Sequence, residues 1–134
     1  MRKVVTTYGH DGKENGWLME IEKDGDKTTA YATAIKPGSF KGSHLHRIRT
    51  ANYICVTGNV LVVLYDYIDK KWVKREIPMT KGGELHIPIN IPTAIYNVGS
   101  VEAIILNFPV PAYDPNVNEQ VEYTEEDIKN NVLK

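Results

Sequence analysis

Short runs rich in β-branched and aromatic residues, each closed by a turn signal, follow one another along most of the chain, and this rhythm constrains the fold most. The runs are Trp17 to Ile21, Thr28 to Ile35, Tyr53 to Val56, Val60 to Tyr67, Trp72 to Ile77, Glu84 to Pro88, Ala94 to Val98 and Val101 to Phe108. Such spacing predicts an all-β antiparallel sandwich or barrel. Gly58-Asn59, between two apolar runs, predicts a tight hairpin turn, and Asp24-Gly25-Asp26 and Ile68 to Lys71 predict the next turns. Val60 to Leu64 is apolar without alternation. Both faces of that strand should therefore be covered, one by the interior and the other by a second sheet or a neighbouring subunit, which points to a homodimer. Near the end, Thr124 followed by Glu125, Glu126 and Asp127 resembles an N-cap with an acidic first turn and predicts a short C-terminal helix from Glu125 toward Val132.

With 134 residues, 42% of them hydrophobic, and no Pro-, Gly- or Ser-rich divider, the chain reads as one cored domain over residues 1–134. Sixteen Lys and Arg against 17 Asp and Glu give a net charge of -1, so there is no overall electrostatic case for nucleic acid or an anionic membrane as partner. The single Cys55 sits in a strand-like run, cannot form an internal disulfide and suits a reducing compartment. Neither a signal-peptide run nor a stretch of roughly 20 apolar residues is present, so a soluble, cytoplasmic protein is expected.

The triplet His44-Leu45-His46 carries the chemistry, because alternate side chains of a strand share a face and both imidazoles would point the same way. Gly38, five residues, His44-x-His46, then eleven residues to Gly58 resembles the first motif of the cupins, and Gly82, five residues, Pro88, with Asn90, Thr93 and Asn97, resembles the second. The resemblance implies a cupin (jelly-roll) antiparallel β-barrel with the histidines facing inward. Metal-binding cupins supply three histidines and a carboxylate, whereas here the carboxylate position is Ala51 and the third histidine is Thr93. Two neutral imidazoles alone bind a divalent ion weakly, so neither a metal nor another cofactor is expected. His86 reads as a surface or hairpin histidine, with completion of a metal site as the alternative. A histidine pair without metal suits proton transfer, since imidazole can act as base and then as acid near neutrality.

Further matches extend the resemblance to the sugar-nucleotide epimerases and isomerases of the cupin superfamily, typified by dTDP-4-dehydrorhamnose 3,5-epimerase. Gly16-Trp17-Leu18-Met19-Glu20 is similar to their Gly-x-Leu-x-Glu segment and Lys41-Gly42-Ser43-His44 to their Arg/Lys-Gly-x-His motif. Asn52 to Asp66, Ile87-Pro88, and Asn107-Phe108-Pro109 leading to Tyr113-Asp114-Pro115 also match, covering about residues 13 to 120. The resemblance implies a nucleotide-linked 4-keto-6-deoxyhexose as substrate, with His44 as the base that removes a proton beside the ketone. Ala51 stands where those enzymes carry a lysine, Leu106 or Asn107 where they carry a proton-donating tyrosine, and Asn15 where they carry an arginine. The related 3,4-ketoisomerases resemble the chain in keeping both histidines, so that His44 and His46 would pass protons between neighbouring carbons.

Such chemistry needs a donor or cation near the developing enolate oxygen. Lys41 is the nearby cation at a matched position, or else a solvated lysine before the strand. Arg47 and Arg49 alternate with the histidine face and would point away from the pocket, where they could meet a diphosphate at the rim or a neighbouring subunit. Tyr96 and Tyr113 are candidate proton donors or base-stacking residues, Tyr96 alternatively a core aromatic. Competing expectations are a metal-dependent cupin enzyme, such as an oxygenase, and a sugar-nucleotide-binding cupin without catalysis.

Overall fold

A computed structural model of the chain describes residues 2–9, 11–76 and 83–122. Its strands are β1 (Val4–Tyr8), β2 (Glu14–Asp24), β3 (Lys27–Ile35), β4 (Phe40–His46), β5 (Ala51–Thr57), β6 (Val60–Asp66), β7 (Lys71–Glu76), β8 (Leu85–Ile87), β9 (Thr93–Asn97), β10 (Ala103–Asn107) and β11 (Gln120–Glu122). They form a six-stranded sheet in the order β1-β2-β3-β10-β5-β8 and a five-stranded sheet in the order β11-β4-β9-β6-β7, antiparallel throughout. The expected all-β architecture is present as two facing sheets rather than one continuously hydrogen-bonded barrel. The helix expected from Glu125 lies outside the described residues, and among those described no helix is long and apolar enough to cross a membrane.

Two of the predicted turns join hairpin partners. Asp24 pairs with Lys27 across Gly25-Asp26, and Asp66 pairs with Lys71 across the turn that ends in Lys70. Gly58-Asn59 does something else, because β5 belongs to one sheet and β6 to the other. The turn carries the chain across the sandwich, and a Cβ on Gly58 would lie 2.6 Å from the Ala103 Cα. Local turn chemistry reports a tight reversal but not whether the two flanking strands then pair.

The space between the sheets is divided along its length. One end is an apolar core of Ile35, Ala51, Cys55, Val60, Val62, Ile87, Ile95, Ala103 and Ile105. The other end is open, and polar side chains join apolar ones in lining it. β6 sends Val60 and Val62 into this core, while Val63 packs with Ala94, Phe40, Leu61, Trp72 and Tyr96 on the far side of the sheet. Those side chains of the chain itself cover the second face of β6, which accounts for its unbroken apolar pattern.

A β-bulge sets the aim of β4. Gly42 pairs with Ala94 and His44 with Thr93, so Ser43 is an extra residue against its partner strand. In an unbroken strand Lys41 and His44, three apart, would face opposite ways. The bulge brings both to the interior, and Gly42 permits it with φ +105° and the Thr93 carbonyl oxygen only 2.9 Å from where a Cβ would stand.

Candidate active site

The open end of the sandwich is a cavity of about 530 Å³. β4 brings Lys41, His44 and His46 to it, β3 brings Tyr31 and Thr33, β5 brings Tyr53, and the segment after β10 brings Tyr113 and Gln120. The strands position these groups because the inward-facing residues of β3 change from Ile35 in the core to Thr33 and Tyr31 beyond it.

The two imidazoles share this cavity with ring centroids 4.7 Å apart and planes at 73°. Their surroundings differ. His46 Nδ1 lies 3.0 Å from Glu119 Oε1, a carboxylate 73 residues later in the chain. Glu119 is held in turn by the Arg49 Nε–H, which donates to Oε1 at 2.8 Å, and by the Ile48 backbone N–H, which donates to Oε2 at 3.1 Å. Arg49 Nε also stands 3.2 Å from His46 Nδ1. The carboxylate is the stronger acceptor for a proton on Nδ1, which leaves Nε2 with its lone pair. Among the described residues His44 has no hydrogen-bonded carboxylate of this kind.

Protonation follows these contacts. Burial, the neighbouring His46 and the Arg49 cation lower the His44 pKa to about 4, against the Gly42 hydrogen bond and Glu119, which raise it. Burial and then Arg49 also lower that of His46, with Glu119 opposing them. Burial works against the Glu119 charge, but the Ile48 N–H, Arg49 and His46 outweigh it and hold the carboxyl at about 2. Lys41 donates from Nζ to the Trp17 carbonyl at 2.9 Å and to Thr33 Oγ1 at 2.8 Å. Burial lowers its pKa to about 8, with Glu102 opposing, so the ammonium remains largely charged at neutral pH.

A pH dependence follows. Between about pH 6.5 and pH 4 the unfolded chain binds a proton that folded His44 refuses, so stability falls with acid over that window. Glu119 adds stability above about pH 4.5 that is lost as the pH drops toward 2. The thermal midpoint of wild type should fall between pH 7 and pH 4.5, and H44Q should flatten that fall. Equal slopes in the two proteins would contradict the burial of a neutral His44.

The remaining sequence candidates separate. Arg49 is buried in the cavity wall, with its guanidinium 4.7 Å over the Tyr113 ring. The expectation that it points away is corrected: β4 ends at His46, the chain bends over 47–48, and strand alternation no longer applies. Arg47 is exposed and outside the cavity. Tyr96 is not a lining residue but stacks on Phe40 at 5.0 Å. His86 is exposed, outside the cavity lining, with Nδ1 2.7 Å from Asn52 Oδ1. Glu119 and Tyr31 were not singled out by sequence reasoning. Glu119 stands in no motif, and Tyr31 sits inside a run that reads only as a strand.

The donor set does not fit a metal held in the manner of metal-binding cupins. Ala51 and Thr93 line the cavity where a carboxylate and a histidine would be needed, and Glu119 is committed to Arg49 and the Ile48 N–H. Among the described residues no three His, Cys, Asp or Glu side chains are grouped to hold an ion.

A family model described as the polysaccharide biosynthesis C-terminal domain matches residues 11–121. Among solved structures, the capsular polysaccharide assembling protein CapF from Staphylococcus aureus aligns with TM-score 0.73 and 19% identity over 90% of this chain and 31% of its own. The chain thus spans about a third of CapF. Recombinant oxalate oxidase in complex with glycolate aligns with TM-score 0.64 and 20% identity over 88% of this chain and 60% of its own. The Drosophila melanogaster CENP-C cupin domain aligns with TM-score 0.63 and 13% identity over 80% and 75%. At these identities the structural likeness establishes the cupin fold alone. A search of curated proteins found no match.

Proposed function

The chain belongs to the polysaccharide biosynthesis C-terminal domain family, and from that premise we propose that it is an epimerase or ketoisomerase of a nucleotide-linked 4-keto-6-deoxyhexose. The carrying observation is the carboxylate-backed His46 inside a cavity that also holds Lys41. A cavity of about 530 Å³ suits a hexose ring, with the nucleotide reaching out through the open end, and lies within the usual range for small-molecule sites.

In this reading His46 Nε2 removes the proton from the carbon beside the ketone. Glu119 balances the imidazolium that forms, as a carboxylate behind a catalytic imidazole does elsewhere. The family resemblance puts the base at His44, but a ring held at about 4 is the weaker proton acceptor of the two near neutrality. Lys41 receives the developing enolate oxygen, as a preorganised cation placed where charge develops. Arg49 holds Glu119 and Tyr113 in place rather than meeting the diphosphate.

The test is incubation in deuterated water with 4-keto-6-deoxyhexoses linked to dTDP, UDP and GDP, followed by NMR. Deuterium should enter beside the ketone with at least one of them, and K41M should lower that rate by about 10²-fold. Tight binding without deuterium entry would instead leave the chain a sugar-nucleotide binder.

A further inference from the structure

We propose that the Tyr53 hydroxyl selects the sugar, by donating a hydrogen bond to the hydroxyl on C3, the carbon beside the C4 ketone. The inference rests on the function proposed above and narrows its substrates to 4-keto-6-deoxyhexoses that carry this hydroxyl, against their 3-deoxy counterparts.

Strand alternation sets a phenol into an apolar floor. Ala51, Tyr53 and Cys55 share the inward face of β5. Ala51 and Cys55 belong to the apolar core, and Tyr53 packs against that core while also lining the cavity. Ile87 and Ile95 are core members that line the cavity too, and Ile91 packs against them and lines it. Tyr53 therefore stands where the core ends and the cavity begins, among aliphatic side chains.

Its hydroxyl is uncommitted. Among the described residues the Tyr53 O–H neither donates nor accepts a hydrogen bond, and its oxygen is not sealed off from the cavity. Tyr31, on the same wall, is engaged instead: it accepts from Asn107 Nδ2 at 2.6 Å and from Arg49 at 3.3 Å. A phenol packed on a core ordinarily finds a partner, so an unpaired one opening on a cavity is placed for a ligand. Burial, and then the neighbouring Tyr31, hold the Tyr53 pKa well above that of an ordinary phenol, against the Arg49 cation. The group stays a neutral O–H and takes no part in proton transfer.

The chemistry of the sugar identifies the partner. The nucleotide is carried on C1 and leaves through the open end, so the opposite edge of the ring, C3 and C4, enters deepest. The C4 oxygen turns to Lys41 on β4, which leaves the C3 hydroxyl to meet the floor that β5 contributes from the facing sheet. A bound sugar strips solvent from that floor. With a C3 hydroxyl it gives the Tyr53 O–H an acceptor, and without one it strands the donor among aliphatic groups.

The test compares the nucleotide-linked 4-keto-6-deoxyhexose that wild type binds most tightly with its 3-deoxy counterpart, by calorimetry and by deuterium entry, in wild type and Y53F. Wild type should bind the 3-deoxy sugar about 10²-fold more weakly. In Y53F that preference should shrink to within a few-fold. The KM for the hydroxylated sugar should rise about 10-fold while the plateau rate of deuterium entry stays within a few-fold, because the hydrogen bond is made alike before and during reaction. Y53F should bind the 3-deoxy sugar at least as tightly as wild type does, which also shows that the variant is folded. Equal binding of the two sugars by wild type, an undiminished preference in Y53F, or loss of both sugars in Y53F would each overturn the assignment. Selective binding by wild type that Y53F abolishes, without deuterium entry, would overturn the proposed reaction and uphold the role of Tyr53. Absence of binding to any of these sugar nucleotides would overturn both.

Discussion

H46A should lower deuterium entry into the 4-keto sugar by about 10³-fold, the scale set by losing a positioned general base. H44A should cost less, since His44 stays neutral at working pH and lacks a carboxylate to balance a proton. The reverse order would place the base on His44. E119Q separates proton transfer from simple support. The amide keeps the shape but removes the charge that raises the His46 pKa. Activity requires unprotonated His46, so the acid limb of the rate profile should move to lower pH in E119Q while the rate on the plateau drops by about 10²-fold. A lower rate with an unmoved limb would mean that Glu119 only holds the wall together. Truncating it to alanine is a poorer test. The Arg49 side chain is only 10% exposed, and stranding a buried guanidinium costs about 3–5 kcal/mol in its own right.

The second large effect is on folding. Gly16 pairs with Ile35 at φ +150°, and a Cβ there would sit 1.7 Å from the Ala34 carbonyl oxygen. No side-chain rearrangement relieves an overlap with backbone. G16A should cost about 4 kcal/mol or more out of the 5–15 kcal/mol typical of a domain, leaving little soluble protein or a thermal midpoint lower by roughly 15 °C. Gly12 is the control: its φ is +78° with nothing within 4 Å, so G12A should cost only about 1 kcal/mol from backbone strain. Equal losses in the two variants would show that close approach of β2 to β3 is not what Gly16 provides. That approach matters to the site, because next to Gly16 the Asn15 side chain ties β2 to β4 through Nδ2 donating to the Phe40 carbonyl at 3.1 Å.

How much of this was legible in the sequence varies with the range of the physics involved. The runs that became β3, β6, β9 and β10 are dense in Val, Ile, Thr, Ala and Tyr, and their propensity and tertiary environment agree. β1 and β11 were missed. β11 is only three residues long and exists because it pairs with β4 from far along the chain. The shared inward face of His44 and His46 was readable because both lie after the bulge, where alternation by two holds. The same rule failed for Arg49, which lies beyond the end of the strand. Glu119 carried no local signal at all. Its role comes from the loop before β11 laying a carboxylate against a histidine on another strand, which no pattern within one segment encodes.

A crystal structure of the protein with a nucleotide-linked 4-keto-6-deoxyhexose bound tests the cavity chemistry most directly. The acidic carbon beside the ketone should lie within about 3.5 Å of His46 Nε2, with the ketone oxygen toward Lys41. A sugar lodged outside the cavity, or a transition-metal ion bridging the two imidazoles, would contradict proton transfer by His46.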